Sequence, residues 1–206
     1  MRRSVALAVR LIESGPPAKI ATGYANLLEQ VLVGNVEALV TLGTLLTYGV
    51  GQKPAPGLAY ACYKAAARTG DVDATYNLAS ALLEGAGTAK DVSEGIRLLR
   101  RAMRHGSLEA RSYLGFCYRE GLGVRKDPVK GFQLSLEAAR AGVAPAQYAV
   151  GMCLLRGEGA AKNESEGSRW LARAARNGDS AAQQFLGARA STAKALATKS
   201  VKRRSL

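Results

Sequence analysis

Residues 109–127, EARSYLGFCYREGLGVRKD, decide the fold. Apolar residues such as Leu114 and Cys117 follow helical spacing in this stretch, and Gly121 and Gly123 then interrupt the pattern. Apolar residues three or four positions apart predict an amphipathic helix, and closely spaced glycines predict a loop. The stretch therefore predicts a helix, called helix A here, that ends in a glycine loop.

The same pattern recurs every 36 residues along the chain. An alanine occupies the same position in each repeat, and a small residue follows it five positions later. Equivalent positions in successive repeats are called a phase here. Such regularity is the signature of a helical-repeat protein, in which each unit stacks on the next. The alanines are Ala38, Ala74, Ala110, Ala146 and Ala182, and the small residues are Gly43, Ala79, Gly115, Gly151 and Gly187.

A second helix, helix B, is predicted after each glycine loop. Asp91, Asp127 and Asn163 stand at its start and are good N-cap residues, whereas the first loop, residues 52–56, has no capping aspartate. Single glycines such as Gly106 end helix B as left-handed C-caps. Small residues on both helices predict a close A/B contact, because helices approach closely only where Cβ atoms do not collide. The N-caps expected for helix A are Asn35, Asp71, Ser107 and Asp179, with Val143 as the one departure.

This combination of an alanine, a Leu-Gly pair, a G-x-G loop and a second helix resembles the Sel1-like repeats, a branch of the tetratricopeptide-like family. The resemblance covers residues 35 to about 189. It implies an all-α fold, a right-handed α-solenoid, and a scaffold or adaptor that binds other proteins. The predicted division is an N-terminal capping half-repeat (1–34), four repeats (35–70, 71–106, 107–142, 143–178), a C-terminal half-repeat (179–189) and a basic tail (190–206).

The composition argues against most catalytic and metal chemistry. The chain of 206 residues has one histidine, His105, at a predicted helix end, and three cysteines whose spacing matches no zinc pattern. We therefore predict no enzyme activity, no cofactor and no metal. The cysteines are expected to be reduced core residues, and the start of the chain lacks a leader cleavage pattern, so we expect a cytoplasmic protein.

In tetratricopeptide-like solenoids helix A lines a concave face, and four phases of helix A are predicted to point into it. They combine rings, carboxylates and a methionine, which suits a partner protein or an extended peptide. The alternative is that some of the rings pack between neighbouring repeats. The predicted partner-binding residues are Val40, Thr44, Tyr48, Tyr76, Ser80, Leu83, Glu84, Ser112, Phe116, Arg119, Glu120, Tyr148, Met152, Leu155 and Arg156.

The chain carries a formal net charge of +13. Part of this charge comes from arginines that occupy the same position of helix B in each repeat. Cations are favoured at helix C-termini by about 0.3–1 kcal/mol, and this is one explanation for arginine at that position. The other explanation is an anionic partner, either nucleic acid or a membrane surface, which we consider the less favoured alternative. The ladder consists of Arg68, Arg104, Arg140 and Arg176.

The sequence thus favours a non-enzymatic interaction scaffold of bacterial type that binds its partner in the concave groove. One alternative is an immunity or inhibitor protein that neutralises a partner enzyme or toxin. Another is a binder of an anionic surface that uses the arginine ladder and the basic tail. The sequence does not name the partner.

Overall fold

A computed structural model describes residues 2–189 and 191 of the chain. All regular elements in this part are α-helices, which confirms the all-α prediction, and none of them is long and apolar enough to span a membrane. The basic tail predicted at 190–206 lies, apart from residue 191, outside the described residues. The helices are α1 (Arg2–Ser14), α2 (Pro17–Leu32), α3 (Val36–Tyr48), α4 (Pro56–Ala67), α5 (Val72–Glu84), α6 (Val92–Arg104), α7 (Leu108–Glu120), α8 (Pro128–Arg140), α9 (Ala144–Arg156), α10 (Glu164–Arg176) and α11 (180–189).

The predicted N-caps are formed. In helix A, Asp71 accepts a hydrogen bond from the Ala74 amide (2.7 Å), and Asn35, Ser107 and Asp179 cap their helices in the same way. In helix B, Asp91, Asp127 and Asn163 accept the amide hydrogen bonds of Glu94, Lys130 and Glu166. These bonds satisfy amides that a helix start otherwise leaves unpaired, and they fix where each helix begins.

Val143 has no side-chain cap, and its surroundings explain the exception. Its side chain packs against the buried cluster formed by Ala138, Val150 and their neighbours, and Pro145 occupies the first turn of α9. An apolar contact here replaces the capping hydrogen bond.

The small residues mark the contact between paired helices, as predicted. A Cβ atom added to Gly115 in α7 would lie 2.6 Å from Ser135 Oγ and 2.9 Å from the Gly131 carbonyl oxygen in α8. A Cβ atom added to Gly151 in α9 would lie 2.7 Å from Leu171 Cγ and 3.0 Å from the Gly167 carbonyl oxygen in α10. The helix pairs approach at distances that exclude larger side chains, because real Cβ atoms do not come within 3 Å of such atoms.

The second glycine of a loop has a role that the sequence did not reveal. Gly87 has φ +73°, and a Cβ atom there would lie 2.1 Å from the Pro56 carbonyl oxygen at the start of α4. Gly159 stands in the same relation to Pro128 at the start of α8. Glycine is therefore required both by the left-handed backbone and by a close approach to the preceding repeat.

The chain divides into two compact units, residues 1–110 and 111–206, with the boundary inside α7. In the first unit α1 packs on α2, α3 on α4 and α5 on α6, and α4 also contacts α5. In the second unit α8 and α10 both pack on α9. Each unit has its own buried core of leucine, alanine and other small apolar side chains.

Candidate partner-binding cleft

The first unit contains a cleft of about 350 Å³ that is formed by α3, α4 and α5 and the start of the loop after α5. It brings together five residues that the sequence analysis assigned to partner binding. A volume of this size is at the lower end for small-molecule sites and suits one or two partner side chains. The five residues are Thr44, Tyr48, Tyr76, Ser80 and Glu84.

The floor of the cleft is held by Tyr63 of α4. A Cβ atom at Gly43 would lie 2.6 Å from Cε1 of this ring, so the glycine in α3 makes room for the tyrosine. The Tyr63 hydroxyl shares a hydrogen bond of 3.1 Å with Thr47 Oγ1 and donates a longer one of 3.4 Å to Thr44 Oγ1. Because the ring is buried, this arrangement fixes α3 against α4.

Tyr76 and Glu84 give the cleft its chemical character. Burial, reinforced by the negative charges of Glu109 and Glu84, raises the pKa of Tyr76 to about 12, so its hydroxyl stays protonated at neutral pH. Glu84 is exposed at the end of α5 and accepts a hydrogen bond of 2.9 Å from Ser80 Oγ. Tyr48 is 75% exposed. Glu84 is the one carboxylate among the described residues that line the cleft, and none of these lining residues is a lysine or an arginine.

A second group of carboxylates lies in the same unit. Burial raises the pKa of Asp73, and the charges of Asp71 and Glu109 raise it further, so both carboxylates lie close enough to act on Asp73. Asp73 and Glu109 stand in the first turns of α5 and α7, where helix dipoles favour negative charge. Carboxylates are therefore concentrated at the starts of α5 and α7 although the whole chain is basic.

One of the four helix A positions that were predicted to face the groove instead contacts helix B of the same repeat. Leu83 is only 1% exposed, and its Cγ atom would lie 2.6 Å from a Cβ atom added to Gly95, so its side chain packs between α5 and α6 and does not reach the predicted groove face. Arg119 and Leu155 pack their half-buried side chains on Gly131 and Gly167 in the same way. These residues follow the small contact residue by four positions, and residues four apart share one face of a helix.

The residues at the other three positions form one line along each A helix. We call these residues the A-helix stripe. Its members are spaced by four residues and are exposed or half-buried. They are Val40, Thr44 and Tyr48 in α3; Tyr76, Ser80 and Glu84 in α5; Ser112, Phe116 and Glu120 in α7; and Tyr148, Met152 and Arg156 in α9.

In the second unit, the stripe on α7 is centred on Phe116, which is 40% exposed. Its ring centroid lies 5.9 Å from that of Tyr113, and the Arg119 guanidinium lies 5.8 Å from it. On α9, Arg156 pairs with Glu158 at 3.9 Å. This part of the stripe is aromatic and carries both charges.

The arginine ladder lies at the C-terminal ends of the B helices. Arg68 is the C-cap of α4, and Arg104, Arg140 and Arg176 are the last residues of α6, α8 and α10. All four are exposed, and none takes part in the four ion pairs identified among the described residues. Their position also agrees with the dipole explanation.

The sequence analysis missed Tyr60 and Tyr63, which contribute the α4 side of the cleft. Helix B of this repeat carries tyrosines where the next repeat has Ile96 and Leu99, and that difference was the available signal. It was not used because only helix A was expected to contact a partner.

The three cysteines and His105 are not among the residues that line the cleft. Cys117 and Cys153 are buried, Cys62 is half-buried, and all three are free thiols, as predicted. Among the described residues no group of three metal-binding side chains is found. His105 lies exposed at the C-cap of α6.

The paired helices, close glycine contacts and capped loops define an all-α helical-repeat protein. A sequence model of the Sel1 repeat matches residues 36–71, 72–107, 108–143 and 144–179, and the chain belongs to the Sel1 repeat family. Proteins of this family generally mediate protein–protein interactions and are typically non-catalytic scaffolds. The predicted family and fold class are thereby confirmed.

Three solved structures share the fold. A Sel1 repeat protein from Oxalobacter formigenes is 28% identical with a TM-score of 0.69, covering 89% of this chain and 74% of that one. A protective antigen from uropathogenic Escherichia coli strains is 23% identical with a TM-score of 0.67, covering 90% of this chain and 40% of that one. A Sel1 repeat protein from Klebsiella pneumoniae is 24% identical with a TM-score of 0.60, covering 89% and 90% of the two chains. No curated protein matches the chain.

Proposed function

We propose that the chain is a non-enzymatic interaction module that binds a partner protein or peptide on its A-helix stripe, with the cleft of the first unit as the principal contact. One observation carries the proposal: five predicted residues from two different A helices line a single cleft. Aromatic rings supply contact area at low entropic cost, and the exposed ring of Tyr48 and the half-buried ring of Tyr76 provide it here.

A capture experiment with matched variants tests the proposal. The wild-type chain, a Tyr48→Ala variant and an Arg68→Glu/Arg104→Glu variant are immobilised and exposed to extract of the source cells at moderate salt. The Tyr48 ring is mostly exposed, so its removal leaves the core intact. We expect one partner protein to be retained by the wild type and the arginine variant and lost by the tyrosine variant, in each case with unchanged circular dichroism.

The second candidate is a binder of an anionic surface, and the exposed arginine ladder favours it. Several phosphate contacts make binding fall steeply with salt, by about 10³ or more between 50 and 200 mM for six or more contacts. If the arginine variant alone loses binding, and if that binding disappears at 200 mM salt, the site belongs to the ladder and the first proposal fails.

A neutraliser of a toxin or another enzyme is the same kind of interaction with an active partner. The captured partner, once identified, is assayed for activity with and without the chain. Inhibition that is lost in the Tyr48→Ala variant assigns this role, and binding without inhibition assigns a scaffold.

A further inference from the structure

The cleft of the first unit has a chemical preference that the proposed function leaves open. Its walls combine the rings of Tyr48, Tyr60 and Tyr76 with the carboxylate of Glu84. Aromatic faces attract cations, most strongly where water is partly excluded, and a carboxylate pairs with an ammonium or guanidinium group. The cleft therefore offers two features that recognise positive charge.

The carboxylates near Tyr76 act in the same direction. Glu109 and Glu84 both place negative potential at Tyr76, while Asp71 and Asp73 belong to the same acidic group at the start of α5. The positive charge of this unit includes the ladder residues Arg68 and Arg104 at the ends of the B helices. An anionic or neutral group would gain nothing from this potential, whereas a cation would be drawn to it.

Aromatic rings of this protein already contact cations, and one of these rings, that of Tyr60, belongs to the cleft. Lys64 Nζ lies 5.6 Å from the centroid of the Tyr60 ring, and Lys130 Nζ lies 4.3 Å from that of Tyr118. Lys64 is on the same helix as Tyr60 and is not among the residues that line the cleft. Tyr48 and Tyr76 face the cleft from two other helices, together with Glu84.

We infer that the cleft formed by Tyr48, Tyr60, Tyr76 and Glu84 binds a lysine or arginine side chain of the partner. The inference deepens the proposed function and rests on it, because it names the chemistry of the partner segment at that site. The cation would lie against the rings of Tyr48 and Tyr76 and pair with Glu84, while its aliphatic stem would contact the exposed Pro56.

The test uses two short peptides and the full chain labelled with ¹⁵N. The peptides are acetyl-Gly-Gly-Lys-Gly-Gly-amide and its norleucine counterpart, which has a similar shape and no charge. We expect the lysine peptide to shift the amide resonances of Tyr48, Tyr60 and Ser80 with an affinity of about millimolar, and the norleucine peptide to bind about three- to tenfold more weakly.

Glu84→Gln should weaken lysine-peptide binding by a similar factor of about three to ten. Glu120→Gln is the matched control, since Glu120 holds the same repeat phase in α7, is also exposed and does not line this cleft. It should leave the affinity unchanged.

Three results would overturn the inference: equal affinity for both peptides, no effect of Glu84→Gln, or no shifts at the cleft. No partner protein is present in this titration, so its outcome is independent of the capture experiment. If the partner binds at the cleft but the peptides show no charge preference, the inference fails and the proposed function stands. If the peptides show the charge preference but the capture experiment finds no partner at the cleft, the proposed function fails and the charge preference of the cleft stands.

Discussion

Single glycines decide how closely the helices of a repeat can pack. Gly115 has no room for a Cβ atom, whereas at Gly187, which holds the same phase in α11, a Cβ atom would meet nothing within 4 Å. The sequence pattern alone treated the two positions as equivalent. It could not tell them apart because the difference comes from α8, whose residues Gly131 and Ser135 lie against Gly115.

Gly115→Ala should therefore destabilise the protein although alanine favours helix more than glycine. The contact costs about 1–3 kcal/mol, which exceeds the helix gain of about 1 kcal/mol. Gly187→Ala, the matched control, gains helix propensity without a clash and should keep or raise the stability. Urea unfolding monitored by circular dichroism measures both changes, and equal midpoints for the two variants would remove the close-contact interpretation.

Burial also sets the reactivity of the cysteines. It raises the pKa of the Cys117 thiol to about 11 and raises that of Cys153 as well, so both remain protonated and weakly nucleophilic near pH 8. Burial raises the pKa of Cys62 too, but its side chain is only half-buried, so a reagent can reach its sulfur. Titration with a thiol reagent at pH 8 should label Cys62 first and the other two only after denaturant is added. Rapid labelling of all three in the native protein would contradict the packing.

At the scale of the helix, the start and end signals were readable from the sequence because they are local. A capping side chain acts within three residues, and the left-handed glycines mark helix ends such as Gly49 after α3. The candidate site was less predictable. The sequence predicted the α5 residues that line the cleft, but it did not show that Leu83 is buried or that Tyr63 lines the cleft, because both depend on how α4 and α6 pack on the A helices.

The N-cap of α5 should contribute measurably to stability. Asp71 accepts the Ala74 amide hydrogen bond at 2.7 Å, and Asp71→Ala leaves that amide without its partner. We expect a loss of about 1 kcal/mol, whereas Asp71→Asn, which keeps a capping oxygen, should lose only a few tenths. Chemical denaturation of both variants tests this, and an alanine variant as stable as the wild type would show that the cap contributes nothing.

For the whole molecule, the repeat organisation predicts stability that is distributed among units. Each helix pair has its own close contact, so a terminal helix can be removed without destroying the remaining pairs. A chain that ends after residue 178 lacks α11 and should keep its helical signal per residue, with a lower melting temperature. Loss of all helicity on this truncation, seen by circular dichroism, would show that the fold depends on the terminal helix.

The central claim is that a partner binds at the A-helix stripe, and site-specific photo-crosslinking in the source cells tests it most directly. A photoreactive phenylalanine analogue replaces Tyr48 in one variant and Arg104 in another, since both residues are exposed and belong to the first unit. We predict a crosslinked product with one partner protein from position 48, sharply reduced from position 104. A partner crosslinked from position 104 and not from position 48 would contradict the claim and move the binding surface to the arginine ladder.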